Sequence, residues 1–134
     1  MKLINIKVDA GMSGFESPAA EYKELGLSLD SLLIDNPDAT FLAVANGHSM
    51  TGCGIMDGDL LIIDRSKKPF QNCIVIAVMD GCFICKILDE KNMQLVSASA
   101  DHKPIKITPE SNLTFEGVVT RSIRMHQPAP ELFR

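Results

Sequence analysis

The stretch CIVIAVMDGCFICKIL (residues 73–88) decides the fold class of this chain. It contains two short runs rich in Val, Ile and Phe, a composition typical of β-strands. Asp80 and Gly81 separate the two runs, and an Asp-Gly pair between apolar runs is the strongest short hairpin signal that a sequence carries. The stretch therefore predicts a β-hairpin with a two-residue turn.

The chain after residue 40 repeats this pattern of short apolar runs separated by turn residues. No long amphipathic helical pattern interrupts the runs, so this part of the chain is predicted to be mostly β. Five further runs indicate strands: TFLAVAN (40–46), DLLIIDR (59–65), MQLVSAS (93–99), PIKIT (104–108) and LTFEGVVTRSIRM (113–125).

Residues 1–27 are more polar and are punctuated by glycine. They predict a flexible, partly helical N-terminal arm that precedes a β-rich domain over residues 28–134. Ser17 followed by Pro18 resembles an N-cap and a first helical position, so a short helix is expected over residues 18–24. A second short helix is expected over residues 27–35, because Asn36-Pro37 ends the pattern.

Composition places the chain among ordered, non-basic proteins. It has 134 residues, the usual size of one domain, and 46% of them are hydrophobic, which supports a packed core. Its formal net charge is −4, from 13 basic and 17 acidic residues. Nucleic-acid binders concentrate Lys and Arg to neutralise phosphate, so direct, tight DNA binding is disfavoured.

The N-terminus and the apolar runs bear on cellular location. The longest apolar run, CIVIAVM (73–79), is far shorter than the ~20 residues that span a bilayer. The opening MKLINIKVDAG lacks the continuous apolar segment of a signal peptide. We therefore expect a cytoplasmic protein without membrane association, whose cysteines are reduced thiols.

Lys86 is the one charged residue in the run CFICKIL (82–88). Alternate residues of a strand share a face, and both faces of this run are apolar, so the strand is expected to be covered on both sides. A desolvated lysine favours its neutral amine, which can act as a general base. The alternative is that the Lys86 ammonium reaches solvent at an edge of the sheet.

Ser49, in GHSMTGCG (47–54), is the candidate nucleophile for such a base. Gly-X-Ser is also common in turns, so the string alone is weak. In extended chain the His48 side chain points away from that of Ser49, which makes His48 a poor base. His102 and His126 lie in polar sequence that predicts exposed loops, so a Ser-His triad is the less favoured arrangement.

Cys82 and Cys85 form a C-x-x-C pair, a spacing that binds zinc or supports redox chemistry in other contexts. Strand residues three apart point to opposite faces, so these two thiols are not expected to share one metal. The sequence has no second C-x-x-C. Buried structural thiols are the favoured interpretation, and no metal or cofactor is expected.

Four blocks of the sequence occur together in the order found in one known family. GHSMTGCGIMDGDLLIID (47–64) carries the candidate nucleophile, and IVIAVMDGCFICK (74–86) ends in Lys86. SGFESPAAEY (13–22) precedes them and GVV (117–119) follows them. Together they resemble the UmuD/MucA branch of the LexA-like self-cleaving serine protease family (peptidase S24), over about residues 12–125. The positions that match its nucleophile motif are Gly47, Ser49, Met50, Asp57, Gly58 and Asp59.

This resemblance implies a compact LexA/signal-peptidase-like β fold and a Ser-Lys dyad, with Ser49 as nucleophile and Lys86 as base. It also implies one self-cleavage, between Ser13 and Gly14, stimulated by a RecA–single-stranded DNA filament. The product would be a homodimer that serves an error-prone, UmuC-like Y-family DNA polymerase in translesion synthesis during the SOS response. Only 13 residues precede Gly14, too few for the helix-turn-helix domain of LexA-type repressors, which favours the UmuD branch.

Three features depart from the family pattern. His48 stands where an acidic residue is usual, Ser13 stands where Ala or Cys is usual, and the tail 126–134 extends past the match. Two alternative functions stay open. One is a non-catalytic accessory module that retains the fold, and the other is a soluble signal-peptidase-like protease that acts on other proteins.

Overall fold

The computed structural model of the protein describes residues 2–4, 22–24 and 28–127. The chain divides into two compact units, Met1–Asp35 and Asn36–Arg134. In the first unit, strand β1 (Lys2–Ile4) pairs with strand β2 (Tyr22–Glu24) in antiparallel register.

The first unit also contains one short helix, α1 (Leu29–Leu33). Ser28 caps its N-terminus, because its Oγ accepts a hydrogen bond from the amide of Ser31 at 3.2 Å. The helix expected over residues 27–35 is thus confirmed in a shorter form. The helix expected over residues 18–24 is wrong at Tyr22–Glu24, which form a strand paired with β1, and its remaining residues lie outside the described part of the chain.

The second unit is built on one antiparallel sheet, which confirms the mostly β prediction. Seven strands lie in the order β3-β4-β9-β5-β6-β7-β8. Two single-turn 3-10 helices, Pro37–Ala39 and Thr51–Cys53, flank β3. The strands are β3 (Thr40–Val44), β4 (Leu60–Asp64), β5 (Ile74–Met79), β6 (Cys82–Asp89), β7 (Gln94–Val96), β8 (Ile105–Lys106) and β9 (Leu113–Ile123).

The hairpin between β5 and β6 forms as its sequence predicts. The strands pair from Ile74 opposite Ile87 to Met79 opposite Cys82. Asp80 and Gly81 make the turn with φ angles of 51° and 82°. A two-residue turn of this hand requires positive φ at both positions, which Asp tolerates and Gly adopts freely.

Strand β9 joins the two halves of the sheet. It pairs with β4 on one side and with β5 on the other, although about 50 residues separate it from β4 in the chain. The register shifts once against each partner, between Ile62 and Ile63 and between Ile76 and Ala77. Such irregularities increase local twist and bend the sheet.

The sheet is covered by apolar side chains on both faces. Val75 and Ala77 of β5 pack in one cluster with Leu88, Leu95 and Val118. Ile76 lies between them in the strand and therefore faces the opposite side, since successive strand residues alternate. It packs in a second cluster, which contains Met50, Ile55, Leu61 and Ile63.

Strand β6 is covered less completely than its sequence predicts. Its first two residues are exposed, and 68% of Phe83 is accessible to solvent. The residues of β6 are at least partly buried only from Ile84 onward. The expectation of a buried structural thiol is therefore wrong for Cys82, which is exposed, whereas Cys85 is partly buried. Among the described residues, no helix is long and apolar enough to cross a bilayer.

Candidate active site

Ser49 lies in the loop between β3 and β4, and backbone hydrogen bonds close the base of this loop. The amide of Ala45 donates to the carbonyl of Asp59 at 2.8 Å, and the amide of Gly58 donates back to the carbonyl of Ala45 at 2.8 Å. Higher in the loop, Asp57 Oδ1 accepts from the amide of Gly47 at 2.8 Å. Residues of the Asp-Gly-Asp string therefore fix the shape of the segment that carries Ser49.

Two features hold Ser49 in place: a turn in the chain at Gly47 and the burial of Met50. Gly47 has a φ of +96°, a conformation that other residues adopt only with strain. Met50 is buried, with 3% of its surface exposed, and packs in the same cluster as Ile55. Ser49 is half-buried between the exposed His48 and this anchored methionine.

An ion pair fixes the end of the loop. Arg124 donates from Nε and Nη2 to the two carboxylate oxygens of Asp59, at 3.0 and 2.9 Å, and from Nη2 to the carbonyl of Gly54 at 2.7 Å. These hydrogen bonds, together with one from the amide of Met56, hold the pKa of Asp59 below its usual range. Asp59 therefore stays ionised and keeps the loop tied to the segment that follows β9.

Lys86 lies near the middle of β6, opposite Val75 of β5. Its Nζ donates a hydrogen bond to Ser97 Oγ at 2.8 Å. Burial lowers the pKa of Lys86, because removing water disfavours the ammonium form, and a negative charge on Cys85 would act in the opposite sense. Burial also raises the pKa of the Cys85 thiol to about 11, so Cys85 stays a neutral thiol near neutral pH.

One cavity of about 400 Å³ is lined by both Ser49 and Lys86. His48 and His102 also line it, whereas His126 does not. Within residues 28–127, the side chain of Ser49 makes no hydrogen bond, and that of Lys86 is directed to Ser97. The apolar wall of the cavity is formed by Phe41, Ala43, Val44, Ala45, Met50, Ile55, Leu61, Ile76, Phe83 and Ile84.

The amide groups around Ser49 differ in their hydrogen bonding. The amides of Thr51, Gly52 and Cys53 donate to the carbonyls of His48, Ala98 and Met50, respectively. Among the described residues, the amides of Ser49 and Met50 have no acceptor. Unpaired amides beside a nucleophile are the groups that stabilise an oxyanion in acyl-transfer enzymes.

The sequence-predicted residues fall into three groups. Ser49 and Lys86 share the cavity, Asp57, Gly58 and Asp59 shape the loop, and Ser13 and Gly14 lie outside the described residues. Cys82 and Cys85 hold positions opposite Met79 and Ile76, and no group of three or more metal-ligand side chains occurs among the described residues.

Sequence reasoning missed Ser97, which accepts a hydrogen bond from Lys86, and Arg124, which binds Asp59 and Gly54 at the end of the Ser49 loop. Both lie in segments that the sequence predicted only as strand. The β6–β7 register would have placed Ser97 beside Lys86, and the pairing of β9 with β4 would have placed Arg124 near Asp59. Neither register can be read from local pattern, because both join residues distant in the chain.

Comparison with known proteins identifies the family of this chain. Residues 2–120 match the family model described as Peptidase S24-like. The chain is similar to protein ImpA of Escherichia coli, at 39% identity over 115 residues that cover 86% of this chain and 79% of ImpA. It is similar to protein MucA of Escherichia coli, at 33% identity over 85% of this chain and 80% of MucA. A LexA repressor from Photobacterium profundum is 34% identical over 79% of this chain and 56% of the repressor.

Proposed function

The chain belongs to the peptidase S24-like family, in the UmuD/MucA branch of the LexA-like proteins, and from this premise we propose that it cleaves itself. The cut falls between Ser13 and Gly14, and it uses Ser49 as nucleophile and Lys86 as general base. The observation that carries the proposal is the cavity of about 400 Å³ that both side chains line.

The state of Lys86 supports its role as the base. Burial shifts its pKa downward, which increases the fraction of neutral amine at a given pH. Only the neutral amine has a lone pair that accepts the hydroxyl proton. No direct hydrogen bond joins Nζ to Ser49 in the described structure, and such bonds commonly tighten only when substrate enters the site.

The reaction proceeds in two stages. Lys86 removes the proton from Ser49 Oγ, which attacks the carbonyl carbon of Ser13, and the amides of Ser49 and Met50 hold the developing oxyanion. The C–N bond to Gly14 then breaks as Lys86 returns its proton to the leaving amine. In the second stage, Lys86 takes a proton from the water that attacks the ester carbon. The bond from that carbon to Ser49 Oγ then breaks as Lys86 returns the proton to Oγ, which releases the Ser13 carboxyl group and restores both Ser49 and the neutral amine.

The substrate is the chain's own N-terminal arm. Because the arm is tethered to the catalytic domain, its effective concentration is high, and a modest catalyst suffices. Glycines at positions 11 and 14 let the arm extend, and small side chains at the cut suit a narrow cleft. The apolar cavity wall offers contact surface for the residues that flank the bond.

We propose the biological setting that the resemblance to UmuD/MucA proteins implies. The protein acts in SOS mutagenesis, in the cytoplasm, and a RecA–single-stranded DNA filament promotes the cleavage-competent arrangement of the arm. The shortened product forms a homodimer and serves a UmuC-like Y-family polymerase in translesion synthesis. The acidic net charge of −4 is consistent with recruitment through protein partners rather than through direct DNA binding.

The test is the pH–rate profile of self-cleavage, with the product identified by intact mass as residues 14–134. The rate should rise from neutral to alkaline pH and level off once Lys86 is neutral, since the deprotonated form is active. Ser49→Ala and Lys86→Ala should each abolish cleavage, whereas His102→Ala should retain it. A histidine base would instead give a rise near pH ~6.5 and a flat profile above pH ~8.

Three results would contradict the proposal. Cleavage that survives Lys86→Ala would exclude the dyad, and a product of another mass would exclude the site at Ser13. A wild-type chain that stays intact with activated RecA and at alkaline pH would favour the non-catalytic accessory module. Cleavage of other proteins without loss of the arm would favour the protease that acts in trans.

A further inference from the structure

Ser97 contacts the candidate base from a neighbouring strand, and nothing in the cleavage chemistry described above uses it. We infer that Ser97 is a positioning residue: its hydroxyl orients Lys86, while the next carbonyl, that of Ala98, holds the loop of Ser49. The inference rests on the proposed function, because a positioned base matters only if Lys86 acts as one. It assigns to residues 97–98 the task of setting the base and the nucleophile relative to each other.

The register of the sheet places Ser97 beside Lys86. Strand β7 pairs with β6 through Asp89–Gln94, Leu88–Leu95 and Ile87–Val96. One further step of this antiparallel register puts Ser97 directly opposite Lys86, just beyond the last paired residues. Side chains of directly opposed residues lie on the same face of a sheet, which accounts for the 2.8 Å hydrogen bond.

The hydrogen bond constrains the atom that does the chemistry. A neutral lysine amine has two N–H groups and one lone pair, and it rotates freely about the terminal C–N bond. Donation of one N–H to Ser97 Oγ removes that freedom and restricts the direction of the lone pair. The neighbours of Lys86 on its own strand face are Ile84 and Leu88, which have no polar side-chain atom. Within the described residues, Ser97 Oγ is the one hydrogen-bond partner of Nζ.

The adjacent residue holds the other side of the site. Gly52 lies three residues after Ser49, and its amide donates to the carbonyl of Ala98 at 2.7 Å. This approach is so close that a Cβ on residue 52 would lie 2.4 Å from the Ala98 oxygen. Residues 97 and 98 thus contact Lys86 through a side chain and the loop of Ser49 through the backbone.

The Ser97 hydroxyl has a second, measurable effect, which is on the pKa of Lys86. Three other titratable groups line the cavity with Lys86. They are the thiol of Cys85 on β6, the imidazole of His48 in the β3–β4 loop and the imidazole of His102 in the β7–β8 loop. An acceptor oxygen stabilises the ammonium more than the amine, so it partly offsets the desolvation of Lys86. Loss of the oxygen should therefore let Lys86 lose its proton at lower pH.

The experiment compares Ser97→Val with Ser97→Thr in the full-length chain. The two replacements have the same shape, and only threonine keeps a hydroxyl. We expect the plateau rate of self-cleavage to fall about tenfold in Ser97→Val, with the midpoint of the pH–rate profile moved to lower pH. Ser97→Thr should keep both close to wild type. Ser99→Ala is the matched control and should match wild type, because Ser99 is a half-buried serine two residues away whose hydroxyl, among the described residues, accepts a hydrogen bond only from the amide of Asp101.

Each other outcome overturns the inference. Equal losses in both Ser97 variants would mean that shape matters and the hydroxyl does not. An unchanged plateau and midpoint in Ser97→Val would mean that Ser97 has no role, and faster cleavage would mean that Ser97 withholds Lys86 from Ser49. These results differ from failure of the proposed function, in which wild type does not cleave or Lys86→Ala still does.

Discussion

At the scale of single residues, two charged groups near the site have lowered pKa values for different reasons. Lys86 has a lowered pKa because burial removes water from its ammonium. Asp59 has a lowered pKa because Arg124 and a backbone amide donate to its carboxylate. The lowered pKa of Lys86 reflects a charged form that burial destabilises, which favours its proposed role as a base. The lowered pKa of Asp59 reflects a charged form that its hydrogen bonds stabilise, and these bonds fix the loop.

The Asp59–Arg124 pair predicts a pH-dependent contribution to stability. A carboxylate whose pKa is lowered by folding stabilises the native state above its unfolded value of about 3.9, and this contribution is lost as pH falls through the folded pKa. Arg124→Gln should therefore lower the Tm near pH 7, and its difference from wild type should shrink below pH ~4.

Thermal denaturation from pH 7 down to pH 3 checks this prediction. Arg65→Gln is the matched control, since Arg65 forms an exposed ion pair with Glu116 and 58% of its side chain is accessible. Exposed pairs contribute little, so the control should change the Tm only slightly. A Tm difference for Arg124→Gln that is constant with pH would show that the ionisation of Asp59 is not involved.

At the scale of secondary-structure elements, the β5–β6 hairpin depends on its turn. Gly81 has a φ of +82°, and a Cβ built there would meet nothing within 4 Å. Gly81→Ala should therefore cost only the backbone strain of a left-handed residue, about 1 kcal/mol of unfolding free energy. Asp80→Asn should be close to neutral, because Asn tolerates the same conformation.

Chemical denaturation of the two variants beside wild type measures these differences. A Gly81→Ala variant as stable as wild type would mean that the turn adopts another geometry. A loss well above the expected strain would mean that the substitution disturbs the pairing of β5 with β6 as well as the turn.

The elements themselves were largely predictable from local sequence, and their arrangement was not. Alternating apolar runs located β3 to β9, and the Asp-Gly pair located the turn, because these signals depend on neighbouring residues. The Ser49 loop and Lys86 came from motif resemblance. The strand order, the contact of Ser97 with Lys86 and the reach of Arg124 to Asp59 required pairings between residues distant in the chain. The helix expected over residues 18–24 failed at Tyr22–Glu24 because strand pairing overrode a local capping signal.

At the scale of the whole molecule, the buried core and the candidate site belong to one unit. The core residues run from Met50 to Val118, all within Asn36–Arg134. The proposed cut lies in the other unit, at Ser13. A change at the cut is therefore expected to affect processing without affecting the sheet.

Gly14→Lys should block self-cleavage, because a long charged side chain next to the bond does not fit a cleft that accepts glycine. Its Tm should equal that of wild type. Gly14→Ala adds one methyl group without charge and serves as the graded control, with slower but detectable cleavage. Product mass and thermal denaturation check both variants, and a Gly14→Lys chain that is cut at the wild-type rate would exclude this position.

The central place of β9 has a consequence for the protein during its own synthesis. A nascent chain that has emerged as far as Lys106 carries both Ser49 and Lys86, but it lacks Leu113–Ile123, the strand that hydrogen-bonds to β4 on one side and β5 on the other. The two sets of strands become one sheet only when this late segment leaves the ribosome. Under the proposed function, we therefore expect a polypeptide without Leu113–Ile123 to keep its arm, because the sheet that carries Ser49 and Lys86 is not yet complete.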